Sequence, residues 1–113
     1  MKIKTTDLMP LALNWAVANI ELTGHDDYTN LLMVTVGDDE GWKYTPSTDW
    51  AQGGPIIERE GLTLTHQTDK WAAQTDCDLF SYGPTPLIAA MRCYVASKLG
   101  EIVGVPRELY KED

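Results

Sequence analysis

Apolar residues recur at three- and four-residue steps near the start of the chain, at Leu8, Leu11, Ala12, Trp15, Ala16, Ala18 and Leu22. That spacing predicts an amphipathic helix. Thr6 or Asp7 would cap it, Pro10 falls in its first turn, where a missing N–H is harmless, and Gly24 would stop it. Ahead of the helix, residues 1–4 alternate weakly and suit a short edge strand. Behind it, residues 25–30 are polar and turn-like, and Leu31-Leu32-Met33-Val34-Thr35-Val36 is an apolar, β-branched run that predicts a buried strand. Residues 37–41 read as a hairpin loop, with Trp42-Lys43-Tyr44 returning as a second strand.

The middle of the chain is less regular. Pro46 biases Thr45 away from helix, and Pro55 suits the first position of a short helix, about two turns long, that ends at Gly61. On this reading Gly53 and Gly54 lie in a loop that leads into the helix. Leu62 to His66 alternates strictly and predicts a strand, Lys70 to Ala73 is a candidate for another, and residues 74–83 read as a loop. Thr85 then caps, and Pro86 opens, a long helix with Leu87, Ile88, Met91, Tyr94, Val95 and Leu99 along its apolar stripe and Gly100 at its stop. Residues 102–106 form an apolar patch that would pack back on the core, followed by a charged tail. The sum is an α+β fold: two long helices packed on a small, mainly antiparallel sheet, with a short helix after the Gly-Gly-Pro loop. The pattern leaves the strand order open.

Length changes this picture little: 113 residues fit one domain, spanning 1–113. A chain of this size can bury roughly two-thirds of its unfolded surface, so no disulfide or metal is needed to hold it. Charge changes it more. The net charge of -8 argues against a nucleic-acid backbone as partner, since phosphate binding calls for clustered Lys and Arg. The acidic residues are scattered, which fits a solvated surface, with mimicry of DNA as the sharper alternative. No apolar run reaches the length of a membrane span, and the N-terminus does not lead into a signal-type apolar region, so a cytoplasmic protein without membrane partners is expected. Cys77 and Cys93, the only cysteines, should then be reduced thiols.

Candidate chemistry is sparse. His25 and His66 have no Cys or His at metal-ligand spacing, and neither a phosphate-binding loop nor a nucleophile motif is present, so no catalytic residue, metal ligand or cofactor is assigned. The informative stretch is Tyr44 to Gly61. Glycines at 53 and 54 would let a ligand approach the main chain, and a helix starting just after them would present unpaired N–H groups to a phosphate or carboxylate. Pro55 removes one such donor. Trp50, Tyr44 or Trp42 could stack on a planar base, and Asp49 could accept from ribose hydroxyls. A structural reading stands beside each: Ser47, Thr48 or Asp49 caps a turn, Trp50 anchors the loop in the core, and the glycines supply positive φ. Arg92, at the edge of the second helix's stripe, is either a solvated side chain or an anion ligand facing the loop. Asn14 either bonds a loop carbonyl or touches a ligand. Four tryptophans are many for this length; exposed ones would mark a binding groove or an oligomer interface.

Two segments also carry a likeness. Tyr44-Thr45-Pro46-Ser47-Thr48-Asp49-Trp50-Ala51-Gln52-Gly53-Gly54-Pro55-Ile56-Ile57-Glu58-Arg59-Glu60-Gly61 resembles the central signature of the phage NinX-like family. So does Gly83-Pro84-Thr85-Pro86-Leu87-Ile88-Ala89-Ala90-Met91-Arg92, and the opening residues 1–5 with 13–18 also fit. The resemblance covers nearly the whole chain. It implies a phage or prophage product in the cytoplasm of an infected bacterium, and it brings no catalytic residues to carry over. Small accessory phage proteins often counter host defences that signal through nucleotides. The expectation is therefore a non-enzymatic binder that sequesters a small anionic ligand such as a nucleotide signal. Its pocket would be built from Asn14, Tyr44, Ser47, Thr48, Asp49, Trp50, Gln52, Gly53, Gly54, Arg59 and Arg92, set at a homo-oligomer interface. The alternatives are an acidic inhibitor that blocks a host protein and a small hydrolase using Asp49 and Glu58.

Overall fold

A computed structural model describes residues 2–21 and 45–105 of the chain. Strand β1 (Lys2–Lys4) leads through a 3-10 turn (Thr5–Asp7) into helix α1 (Pro10–Glu21). Helix α2 (Trp50–Glu60) is followed by β2 (Thr63–His66), β3 (Trp71–Gln74) and β4 (Phe80–Gly83). Helix α3 (Pro86–Leu99) and strand β5 (Ile102–Gly104) complete the order. The fold is α+β, with three helices and two small antiparallel sheets among the described residues: β1–β5, and a meander in the order β2-β3-β4.

The charged tail and the readings placed on residues 22–44 lie outside the described residues, including the strand at 31–36, its return at 42–44, the helix stop at Gly24, and Tyr44 itself.

Helix α3 is the centre of the core. Leu87 through Met91 and Cys93 through Val95 are all buried, so the helix is covered on nearly every side and not along one stripe. The meander covers one flank, and α1 and α2 pack on others. Its start follows the sequence: Thr85 Oγ1 accepts from the Ile88 N–H at 3.1 Å, and Pro86 stands in the first position. Helix α1 is likewise buried from Ala12 to Ala18, whereas Leu11, assigned to its apolar stripe, is 36% exposed. The helix begins later than Thr6 or Asp7 would allow. Those two residues sit in the 3-10 turn, and the Leu13 N–H donates to the Met9 carbonyl at 2.7 Å, which makes Pro10 the first helical residue.

Two further expectations are corrected. Residues 74–83 are not all loop: Phe80–Gly83 forms β4, paired with β3 in the register Trp71↔Gly83 and Gln74↔Phe80. Its alternation is inverted, with Ser81 and Gly83 buried and Phe80 and Tyr82 exposed. The cause is the close approach of α3, because a Cβ on Gly83 would stand 2.7 Å from the Ala89 nitrogen. Only very small side chains fit there, so the aromatics face outward. The second correction concerns α2, which is 11 residues long and starts at Trp50, not Pro55. It is comparable in length to α1, so the helices do not divide into two long and one short. Asp49 is its cap and Gly61 its left-handed exit at φ 66. Pro55 lies inside the helix; the bond it cannot make would go to the Ala51 carbonyl, and both residues are exposed to water.

Candidate functional site

Residues 45–50 form a tight turn that leads into α2. The Thr45 carbonyl accepts from the Thr48 and Asp49 N–H groups at 3.1 and 2.9 Å, and the Thr45 N–H donates to Gln52 Oε1. From beneath, Asn14 of α1 fixes the turn. Its Oδ1 accepts from the Ser47 N–H at 2.9 Å and from the Ser47 hydroxyl at 2.7 Å, and both residues are buried. Asp49 Oδ1 accepts from the Ala51 N–H at 2.9 Å, capping the helix. The Gln52 and Gly53 N–H groups donate to the Asp49 carbonyl at 3.1 and 2.8 Å.

This arrangement removes the glycine cradle. Gly53 and Gly54 lie in the body of α2, neither has positive φ, and the Gly53 N–H is engaged. What approaches Gly53 is the protein itself: a Cβ there would stand 2.3 Å from the Pro46 carbonyl oxygen and 2.7 Å from Leu87 Cδ2. At Gly54 the nearest atom is Trp50 Cε3 at 3.8 Å, which places the indole alongside the helix backbone.

The indole is not a core anchor. Trp50 is 54% exposed and lines an open recess of about 190 Å³ together with Ser47, Thr48, Thr85, Pro86 and Leu87. Trp50 and Pro86 are the first residues of α2 and α3, so two helix starts meet at this recess. Among the described residues, neither the Trp50 nor the Leu87 N–H has a hydrogen-bond acceptor. Of the candidate residues, the structure brings Ser47, Thr48 and Trp50 to the recess, with Asp49 between them in the chain and Asn14, Gln52 and Gly53 supporting them from behind. Sequence pattern marks Thr85, Pro86 and Leu87 only as a helix start; the packing of Gly53 against Leu87 is what brings them to the recess.

The two arginines lie elsewhere. Arg92 Nε donates to the Leu8 carbonyl at 3.0 Å and its Nη1 to the Tyr82 carbonyl at 2.8 Å, tying β4 to the segment before α1. It is not a freely solvated side chain, it is not among the residues lining the Trp50 recess, and burial pulls its pKa down. Arg59 is nine residues after Trp50, about 13 Å along the helix. It binds Glu21 with both terminal nitrogens at 3.0 and 2.7 Å, Glu60 through Nε at 2.9 Å, and the Tyr94 hydroxyl at 3.1 Å. The Tyr94 hydroxyl also bonds Glu21, and Lys98 reaches Glu60 at 3.3 Å. The Arg59 guanidinium holds the Glu21 and Glu60 carboxyls below their ordinary range, while burial and the neighbouring Glu21 push the Tyr94 phenol up. This cluster ties the C-terminal parts of α1, α2 and α3 together. Glu58 is likewise about 13 Å along α2 from Asp49, too far to share one reacting bond with it.

Cys77 is exposed and Cys93 buried, and both are free thiols. No group of three His, Cys, Asp or Glu that could hold a metal occurs among the described residues, and none of the described helices is long and apolar enough to cross a membrane.

These elements define a small α+β domain in which one buried helix is wrapped by antiparallel strands and two further helices. Residues 4–98 match the family described as Bacteriophage P22, NinX, and the chain belongs to that phage protein family. Comparison with curated proteins finds no match to the chain.

Proposed function

We propose that this domain is a non-enzymatic binding protein of the phage, and that the Trp50 recess takes a small nucleotide-type ligand and withholds it in the cytoplasm of the infected host. The observation that supports this most is the exposed indole of Trp50 over a recess where two helices begin. An indole this open to water at the mouth of a concave site is a ready stacking surface for a planar ring. The hydroxyl of Thr48, exposed on the rim, offers a polar contact beside it. The turn that carries both is braced by Asn14 and by Gly53, so the site is preformed, which lowers the ordering cost of binding.

A thermal-shift panel of mono-, di- and cyclic nucleotides tests the reading. A ligand present at a hundredfold over its Kd adds about 2.7 kcal/mol to the stability of the fold. For a domain of this size that raises the melting temperature by about 10 °C. The rise should disappear in Trp50→Ala, measured against that variant's own ligand-free melting temperature. No rise with any member of the panel, or a rise indifferent to Trp50, would overturn the proposal.

A further inference from the structure

Resting on the binding reading above, we infer that the recess recognises the ring of its ligand and not its phosphate charge: it is a site for a nucleobase or nucleoside moiety whose phosphates remain in solvent. The lining carries an indole, a proline ring, a leucine and three hydroxyl residues, and it contains no basic side chain among the described residues. Two of those hydroxyls already have partners in the protein, Ser47 with Asn14 and Thr85 with the Ile88 N–H. The place at the α2 start where an anion would settle is taken by the chain's own carboxylate, since Asp49 caps that helix through the Ala51 N–H. A fixed negative charge there offsets the partial positive charge of the helix end and repels an incoming phosphate. The arginines that could have answered such a charge are held away, Arg59 by Glu21 and Glu60, and Arg92 by two backbone carbonyls. What remains to attract a ligand carries no charged side chain: the exposed Thr48 hydroxyl, the main-chain N–H groups of Trp50 and Leu87, and a flat apolar face made by the Trp50 indole, laid along α2 beside Gly54, and Pro86 at the start of α3. A volume near 190 Å³ suits a single ring system.

Two matched series decide the matter by calorimetry on the full-length chain: adenosine, AMP and ATP, and guanosine, GMP and GTP. The expected result is measurable binding in at least one series. Affinities of nucleoside, monophosphate and triphosphate should agree to within about threefold and barely change between about 50 and about 500 mM NaCl. Trp50→Ala should weaken all three by about tenfold or more, while Trp50→Phe keeps part of the affinity. Affinity that climbs about tenfold with each added phosphate and collapses in salt would overturn the ring-recognition inference and leave the nucleotide-binding proposal standing. Binding by no member of either series would overturn both. An Asp49→Asn substitution gives an independent check, because it removes the charge and keeps a capping oxygen. It should raise the affinity for ATP relative to adenosine, and an unchanged ratio would refute the repulsion assigned to the Asp49 carboxylate.

Discussion

Adjacent glycines in α2 should respond in opposite directions to the same substitution. Gly53→Ala places a methyl group 2.3 Å from the Pro46 carbonyl oxygen and 2.7 Å from Leu87 Cδ2. The first neighbour is backbone, held in a turn whose Ser47 is anchored by two hydrogen bonds to Asn14, so it cannot simply step aside. Overpacking of this kind costs about 3 kcal/mol, and the better helix propensity of alanine returns about 1 kcal/mol, for a net loss of about 2 kcal/mol. Gly54→Ala meets only Trp50 Cε3 at 3.8 Å, an ordinary van der Waals contact. With nothing displaced, the propensity gain stands alone and the variant should be more stable by about 1 kcal/mol. Urea titration followed by circular dichroism measures both: the midpoints should move in opposite directions with the slope unchanged. Equal effects at the two positions, or a neutral Gly53→Ala, would refute the claim that Gly53 exists to let the turn and α3 close on α2.

Four further outcomes follow from other parts of the structure. Asn14→Ala leaves the buried Ser47 N–H and hydroxyl without their acceptor and should cost about 2 kcal/mol or more by urea titration. Thr85→Ala removes the α3 cap and should cost about 1 kcal/mol, whereas Thr85→Ser should be near neutral. The Glu21 carboxyl is held below its ordinary value of 4.5 chiefly by Arg59, so its contribution is present above that value and lost as the pH falls through the folded-state pKa. Melting temperatures taken between neutral and acid pH should fall less steeply in Glu21→Gln, with a loss of about 1 kcal/mol or less at neutral pH because the pair is partly exposed. Burial pushes the Cys93 thiol up to about 11, so a disulfide reagent at pH 8 should titrate Cys77 alone in the folded protein and both thiols in denaturant.

The legible parts of the chain are those where a local rule has no competitor. Thr85-Pro86 and Gly100 bound α3 as their chemistry dictates, because capping and the missing proline N–H act within one turn. The alternation of residues 62–66 becomes β2 for a similar reason. Misreadings arise where packing overrides local pattern. Phe80-Ser81-Tyr82-Gly83 has the period of a strand, yet its large residues face water and its small ones face α3, which inverts the usual signal. Pro55 reads as a helix start because that is its commonest role; Asp49, six residues earlier, has already capped the helix.

That shift of one helix boundary changes the meaning of the whole central segment. With the helix starting at Pro55, Gly53 and Gly54 would be a cradle of free amides and Trp50 a loop residue. With it starting at Trp50, the glycines become a packing seam, the carboxylate of Asp49 occupies the helix end, and the indole is set on the rim beside the start of α3. Asn14 and Ser47 remain polar and close to the site, and the bonds between them hold the turn. Sequence pattern could name Ser47, Thr48 and Trp50 because they cluster in one stretch, and it missed Thr85, Pro86 and Leu87, which packing brings to the recess from another. It could not say which of them face solvent, because that depends on contacts made across the fold by Leu87 and Asn14. The proposed distinction between a phosphate site and a ring site turns on those contacts.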